Sequence, residues 1–281
     1  MPKFCANLSL LFTEEAFLDR FDAAARAGFR AVEFHFPYDY DKDELARRAE
    51  RAGVEVVLFN LPAGDWAKGE RGIACVPARV SQFRDGVAQA IGYAKVLGCR
   101  RLNCLSGVEP PHTADTGVRE TFVSNLRFAA GELEREGIVL LTEPVNTRTL
   151  PGSFLRYSAQ ALALIDEAKS RNVKLQYDLF HMQIMEGDLA KTIEANRERI
   201  GHMQVADVPD RHEPGTGEIN FPFLFDWIDR IGYDGWIGCE YAPAARTEDG
   251  LAWVQPYLED KGEPADMVLA GGNAIEGDVR L

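Results

Sequence analysis

The chain contains no C-x-x-C pair, and its five cysteines (Cys5, Cys75, Cys99, Cys104 and Cys239) are scattered, mostly inside apolar runs. That spacing excludes a zinc ribbon or a thioredoxin-type redox pair, and the odd count argues against a disulfide framework. It fits reduced core thiols in a cytoplasmic protein. No apolar stretch reaches 18 residues, so no membrane-spanning helix is expected. Residues 1–12 have neither a basic start nor a small-residue cleavage site, and they read as a first β-strand rather than a secretory leader. Positive charge is scarce: 31 Lys and Arg stand against 44 Asp and Glu, a net charge of −13, with no long basic run. Such a surface repels nucleic-acid phosphates and anionic membranes, so neither is expected as a partner. No G-x-G-x-x-G follows the first strand and no G-x-x-x-x-G-K-[ST] occurs, which removes the usual support for dinucleotide or P-loop chemistry.

What is present is an ordered globular composition, 46% hydrophobic and 27% charged, in a chain of 281 residues that is long enough to bury a large core. Short apolar runs at 3–8, 31–36, 54–60, 101–105, 138–143, 173–178, 202–207 and 236–240 read as strands. Amphipathic runs at 14–27, 43–52, 80–97, 118–136, 158–169, 189–196, 221–231 and 248–258 read as helices. Thr13 is a candidate N-cap, and Gly28, Gly53, Gly98, Gly137 and Gly232 follow helices as stops. Eight strand–helix units of about 32 residues predict a single α/β domain, a closed (β/α)8 TIM barrel over residues 1–260, in preference to an open doubly wound sheet. Residues 261–281 lack that periodicity and read as a poorly ordered tail.

In such a barrel the chemistry lies where strands end. The fifth strand ends in Glu143, the sixth in Asp178 and the eighth in Glu240, while the seventh carries Gln204 and ends in Asp207. The intervals from Glu143 to Asp178 to Gln204 to Glu240 are 35, 26 and 36 residues, which are whole units, so these four side chains should converge. Any one of the acids alone reads as an N-cap or a surface loop acid. Three carboxylates and an amide on four consecutive strands read instead as an oxygen-rich site for Mg²⁺ or Mn²⁺, because packed carboxylates need a positive charge among them. Glu143 and Glu240, three strands apart, suit proton removal and return at neighbouring carbons, with Asp178 and Gln204 between them as metal ligands. That is an isomerase or epimerase layout and needs no organic cofactor.

His181 is either a substrate contact or a loop histidine with its own partner. Lys68, Arg71, Arg148 and Arg211 lie in loops near the same mouth. Each reads as solvated surface charge or as a grip on a substrate carboxylate. The loop with Trp66 is either a lid or rim packing.

The stretches FCANLS at 4–9, VEFHFPYDY at 32–40, NLPAGDWAKGERGIA at 60–74, QYDLFHMQ at 176–183, EPGTGEIN at 213–220 and GWIGCEY at 235–241 resemble the hydroxypyruvate isomerase family. This family lies within the xylose-isomerase-like TIM barrel superfamily. The resemblance implies interconversion of hydroxypyruvate, a small 2-oxo acid, with 2-hydroxy-3-oxopropanoate (tartronate semialdehyde), in glyoxylate metabolism. It implies Glu143 and Glu240 as the proton donor and acceptor, and Glu143, Asp178, Gln204 and Glu240 around a metal, usually Mg²⁺. It leaves monomer and homo-oligomer both open. The alternatives are a 2-oxo-tetronate isomerase, a ketose 3-epimerase, whose relatives tend to place histidine where this chain has Gln204, and a metal-dependent DNA-repair nuclease. The nuclease would call for a basic groove and a His-rich site, against a net charge of −13 and five histidines.

Overall fold

The computed structural model describes residues 1–110 and 115–258, so the proposed tail at 261–281 lies outside the described residues. Eight parallel strands close on themselves in chain order: β1 (Lys3–Asn7), β2 (Ala31–Phe34), β3 (Glu55–Asn60), β4 (Arg101–Leu105), β5 (Val139–Glu143), β6 (Val173–Asp178), β7 (Ile200–Val205) and β8 (Trp236–Cys239). β8 pairs with β1 through Lys3 opposite Trp236 and Ala6 opposite Cys239, which seals the barrel. The fold is the (β/α)8 TIM barrel that the alternation predicts.

The helices around it are α1 (Arg20–Arg26), α2 (Lys42–Ala52), α3 (Val80–Leu97), α4 (Asp115–Arg135), α5 (Ser158–Ala168), α6 (Leu179–Met185), α7 (Leu189–Asn196), α8 (Phe221–Arg230) and α9 (Gln255–Leu258). α2 shows how local sequence sets them. The Asp41 carboxylate accepts from the Glu44 N–H, and Gly53 closes the helix in the left-handed conformation. Among the described residues no helix is long and apolar enough to cross a membrane.

Three local expectations are corrected. The first helix does not start at Glu14 and Thr13 does not cap it, because residues 12–14 are tied to the loop after β8. Phe12 N–H donates to Thr247 Oγ1 at 2.7 Å, and Glu14 accepts from Thr247 N–H at 2.7 Å. The last helix splits into a 3₁₀ turn (Thr247–Gly250) and α9, with Pro256 at the second position of the latter. The seventh strand spans Ile200–Val205, so Asp207 lies beyond it, in the loop.

The core is divided. The large apolar cluster lies between the strands and the helices, whereas among the described residues a second, small cluster holds Cys5, Ala31, Val57, Leu58 and Leu141, with the partly buried Val139 and Trp236 against them. Above it the interior is polar, with Asn7, Glu33, Asn103, Gln176 and His202 all buried. A TIM barrel normally fills its interior with branched apolar chains. Here those positions hold hydrogen-bonding groups, which must satisfy one another.

All five cysteines are free and buried, and burial pushes the Cys75 and Cys99 thiols up to about 12. Native protein at neutral pH should therefore leave Ellman's reagent unreacted, and denatured protein should release five equivalents of thiol.

Candidate active site

The strand-end residues converge as their spacing predicts. Asp178 stands opposite Gln204 in the β6–β7 ladder, Gln204 opposite Gly238 in β7–β8, and Glu240 follows β8 directly. All four candidate ligands are buried. Glu143, Gln204 and Glu240 line a cavity of about 150 Å³ at the C-terminal mouth, together with His181 and Arg211.

Each acid is held differently. Glu143 Oε2 accepts from Asn103 Nδ2 and Gln176 Nε2, both at 2.9 Å. Asp178 is the N-cap of α6, with Oδ1 accepting from the Phe180 N–H at 2.8 Å, so the cap reading and the site reading both hold for it. Its Oδ2 is buried with no hydrogen-bond partner. Glu240 Oε1 meets His35 Nε2 at 2.5 Å, and its Oε2 likewise lacks a hydrogen-bond partner. Arg211 Nη2 sits 3.1 Å from that oxygen and 3.6 Å from Asp178 Oδ2.

These placements separate the charge states. Burial and the negative charges of Glu240 and Asp178 hold the Glu143 carboxyl well above the usual carboxylate range. Burial would also raise Glu240, but the Arg211 guanidinium and the His35 hydrogen bond overcome it and hold Glu240 low. Burial, aided by Arg211, pushes His181 down to about 3, so the ring is neutral at physiological pH. Its tautomer follows from its neighbours. Asn146 Oδ1 accepts from the Thr149 N–H at 2.7 Å, which turns Asn146 Nδ2 toward His181 Nδ1 at 2.6 Å. The ring proton is thus on Nε2, which faces Asp178 Oδ2 at 3.5 Å and Glu143 Oε1 at 3.7 Å.

The basic candidates divide. Arg211 and Arg71 line the cavity, and the Arg71 guanidinium stacks 3.8 Å from the centre of the Trp66 ring. Lys68 is exposed and pairs with Asp65 at 2.8 Å, and Arg148 is exposed too; neither lines the cavity.

Comparison with known proteins gives this geometry its context. The family model described as xylose isomerase-like TIM barrel matches residues 21–257. The chain belongs to that family. It is 53% identical to hydroxypyruvate isomerase of Escherichia coli over 257 residues, 92% of this chain and all of that protein. It is 48% identical to 2-oxo-tetronate isomerase of Cupriavidus necator, over 92% of this chain and 99% of that one. A crystal structure titled AP endonuclease, family 2, from Brucella melitensis superposes with a TM-score of 0.90 at 49% identity, covering 92% and 99% of the two chains. The curated relatives are isomerases, and this chain is an isomerase of the same family.

Several residues of this site escape a reading confined to strand ends. His35 follows β2, Gln176 lies two residues before the end of β6, and Glu33 lies within β2. The usable signal was an acid inside the apolar run 31–36, alternating with Val32 and Phe34 and so directed to the opposite face.

Asp207 is a loop clamp rather than a ligand. Its Oδ1 accepts from the N–H groups of Val208 and Ile219, and its Oδ2 from those of Gly215 and Gly217, at 2.8–3.1 Å. Its carbonyl accepts from the Arg211 N–H at 2.9 Å, which fixes the turn that aims Arg211 into the cavity. Asp207→Ala should cost about 3 kcal/mol, because it strips the acceptor from the buried N–H groups of Val208 and Ile219. Urea denaturation against the exposed neighbour Asp210→Ala measures this, and equal midpoints would contradict it.

Proposed function

We propose that this isomerase interconverts hydroxypyruvate and 2-hydroxy-3-oxopropanoate through an enediolate, with Glu143 and Glu240 exchanging the proton. The observation that carries the reading is that two buried carboxylates on β5 and after β8 share one cavity and are held by opposite means. Asn103 and Gln176 hold one, and His35 and Arg211 the other. One glutamate takes a proton from C3, and the C–H electrons form the C2=C3 bond of the enediolate. The hydroxyl proton passes from O3 to O2. The other glutamate returns a proton to C2, leaving the aldehyde at C3. In the reverse direction the two exchange roles.

A divalent cation fits the residues present. Asp178 Oδ2 and Glu240 Oε2 are buried oxygens with no hydrogen-bond partner, Glu143 Oε1 lies nearby, and Gln204 Oε1 keeps a lone pair beyond the bond it accepts from Gln176. We assign Glu143, Asp178, Gln204 and Glu240 as the residues that would hold Mg²⁺ or Mn²⁺. When bound, the cation supplies Lewis-acid stabilisation of charge on the substrate oxygens.

The substrate carboxylate calls for a cation of its own. Arg71 is the candidate, since Arg211 already faces Asp178 and Glu240. His181, neutral and bearing a proton on Nε2, is placed to donate to a substrate oxygen. The relatives named as 2-oxo-tetronate isomerases, at 42–48% identity, support a second reading with a four-carbon acid.

A coupled assay on both acids, run with wild type, Glu143→Gln and Glu240→Gln, tests the reading. Wild type should favour hydroxypyruvate, and each substitution should lower kcat by about 10²–10⁴-fold. Turnover by either variant near the wild-type rate would contradict the two-carboxylate mechanism, and preference for the four-carbon acid would transfer the substrate assignment.

A further inference from the structure

The cavity wall includes a carboxylate that the mechanism does not use. Glu33, inside β2, is fully buried, and four donors converge on it. Oε1 accepts from Asn7 Nδ2 at 2.9 Å and from Gln204 Nε2 at 2.8 Å. Oε2 meets His202 Nε2 at 2.6 Å and Cys5 Sγ at 3.4 Å. The barrel reserves room for it: a Cβ on Gly238 of β8 would overlap both carboxylate oxygens.

We propose that Glu33 is a positioning residue, which fixes the direction of the Gln204 amide and, through Gln176, holds the Glu143 carboxylate in place. The proposal rests on the reading that Gln204 and Glu143 serve the chemistry.

The argument is one of donor and acceptor polarity. Asn7 cannot turn its oxygen to Glu33, because Asn7 Oδ1 accepts from the Ser9 N–H at 3.0 Å. Among the described residues no backbone group fixes Gln204 in that way; Glu33 does so by taking Gln204 Nε2. Gln204 Oε1 is then directed away from Glu33 and accepts from Gln176 Nε2 at 2.6 Å. The same Gln176 nitrogen donates to Glu143 Oε2 at 2.9 Å. A chain of hydrogen bonds therefore crosses the barrel from β2 through β7 and β6 to β5. Were Gln204 reversed, its NH₂ would face the Gln176 NH₂, donor against donor, and its oxygen would be lost to any cation in the site. Groups that orient a ligand from behind typically change metal affinity or activity by about 10–100-fold when removed.

The substitutions that test this separate the acceptor from mere bulk. Glu33→Met keeps much of the volume and removes the acceptor. Glu33→Gln keeps an oxygen for Gln204 and can hand its amide N–H to His202 Nε2 once the ring proton sits on Nδ1, which has no hydrogen-bond partner among the described residues. Mn²⁺ titration of the purified protein, followed by electron paramagnetic resonance, is read beside kcat and KM. Glu33→Met should raise the Mn²⁺ dissociation constant and lower kcat by about tenfold or more each, while KM and the kcat of Glu33→Gln stay within about threefold of wild type. Glu33→Met with wild-type Mn²⁺ affinity and kcat overturns the proposal, as does Glu33→Gln impaired as severely as Glu33→Met. If Glu33→Met does not fold, Gly238→Ala displaces the carboxylate without removing any donor, and wild-type values there overturn the proposal in the same way. Wild-type protein that binds no Mn²⁺ overturns the cation reading instead, and the kcat comparison then decides the role of Glu33.

Discussion

Crowding negative charge into a buried space is the constraint on which this molecule turns. Glu143 and Glu240 line one cavity at the barrel mouth and Asp178 is buried beside them, where water screens them poorly. Left alone, three such carboxylates would take up protons or push apart. The chain answers with Arg211, whose guanidinium reaches both Asp178 and Glu240, and with His35 on Glu240. The placement of Arg211 and His35 on Glu240 rather than on Glu143 makes the two glutamates chemically different. It also leaves Asp178 Oδ2 and Glu240 Oε2, which face Arg211, without a hydrogen bond among the described residues, and a divalent ion would satisfy them.

That constraint propagates downward. In the proposed mechanism a carboxylate used for proton transfer must be held from behind, and the groups that hold it must themselves be satisfied. This is why the upper barrel interior carries Asn7, Glu33, Asn103, Gln176 and His202 where branched apolar residues would ordinarily pack. Few apolar residues remain inside the barrel, and stability falls to the larger cluster between strands and helices. The site is thus the visible end of a polar layer inside the barrel. The loops are set by the same means: Asp207 gathers four backbone N–H groups and so fixes the turn from which Arg211 enters.

How much of this was legible follows from physical scale. Strand order and the convergence of Glu143, Asp178, Gln204 and Glu240 were legible because a βα unit has a characteristic length and four successive strands carry a polar residue at or within one residue of their ends. The supports behind them were not. In a parallel sheet covered on both faces, inward and outward positions are both buried, so Glu33 and Gln176 leave only a faint alternation in apolar runs. The basic residues were harder still. Arg71, Lys68 and Arg148 looked alike as loop charges, and only the three-dimensional course of the loops separates Arg71, stacked on Trp66 at the cavity, from the other two. Thr13 failed as a cap because its neighbours are bound to Thr247, more than 230 residues away, a contact that no local pattern carries.

The central claim is that two carboxylates, one taking and one giving, move the proton between adjacent carbons. The most direct measurement is the isotopic content of the product when unlabelled hydroxypyruvate is converted in deuterium oxide and the product is trapped early by reduction and analysed by mass spectrometry. Exchange of the donating carboxyl with solvent predicts one deuterium at C2 of the product. Product that retains the substrate's own hydrogen at C2, with no deuterium there, would mean direct transfer from C3 to C2 and would contradict the account.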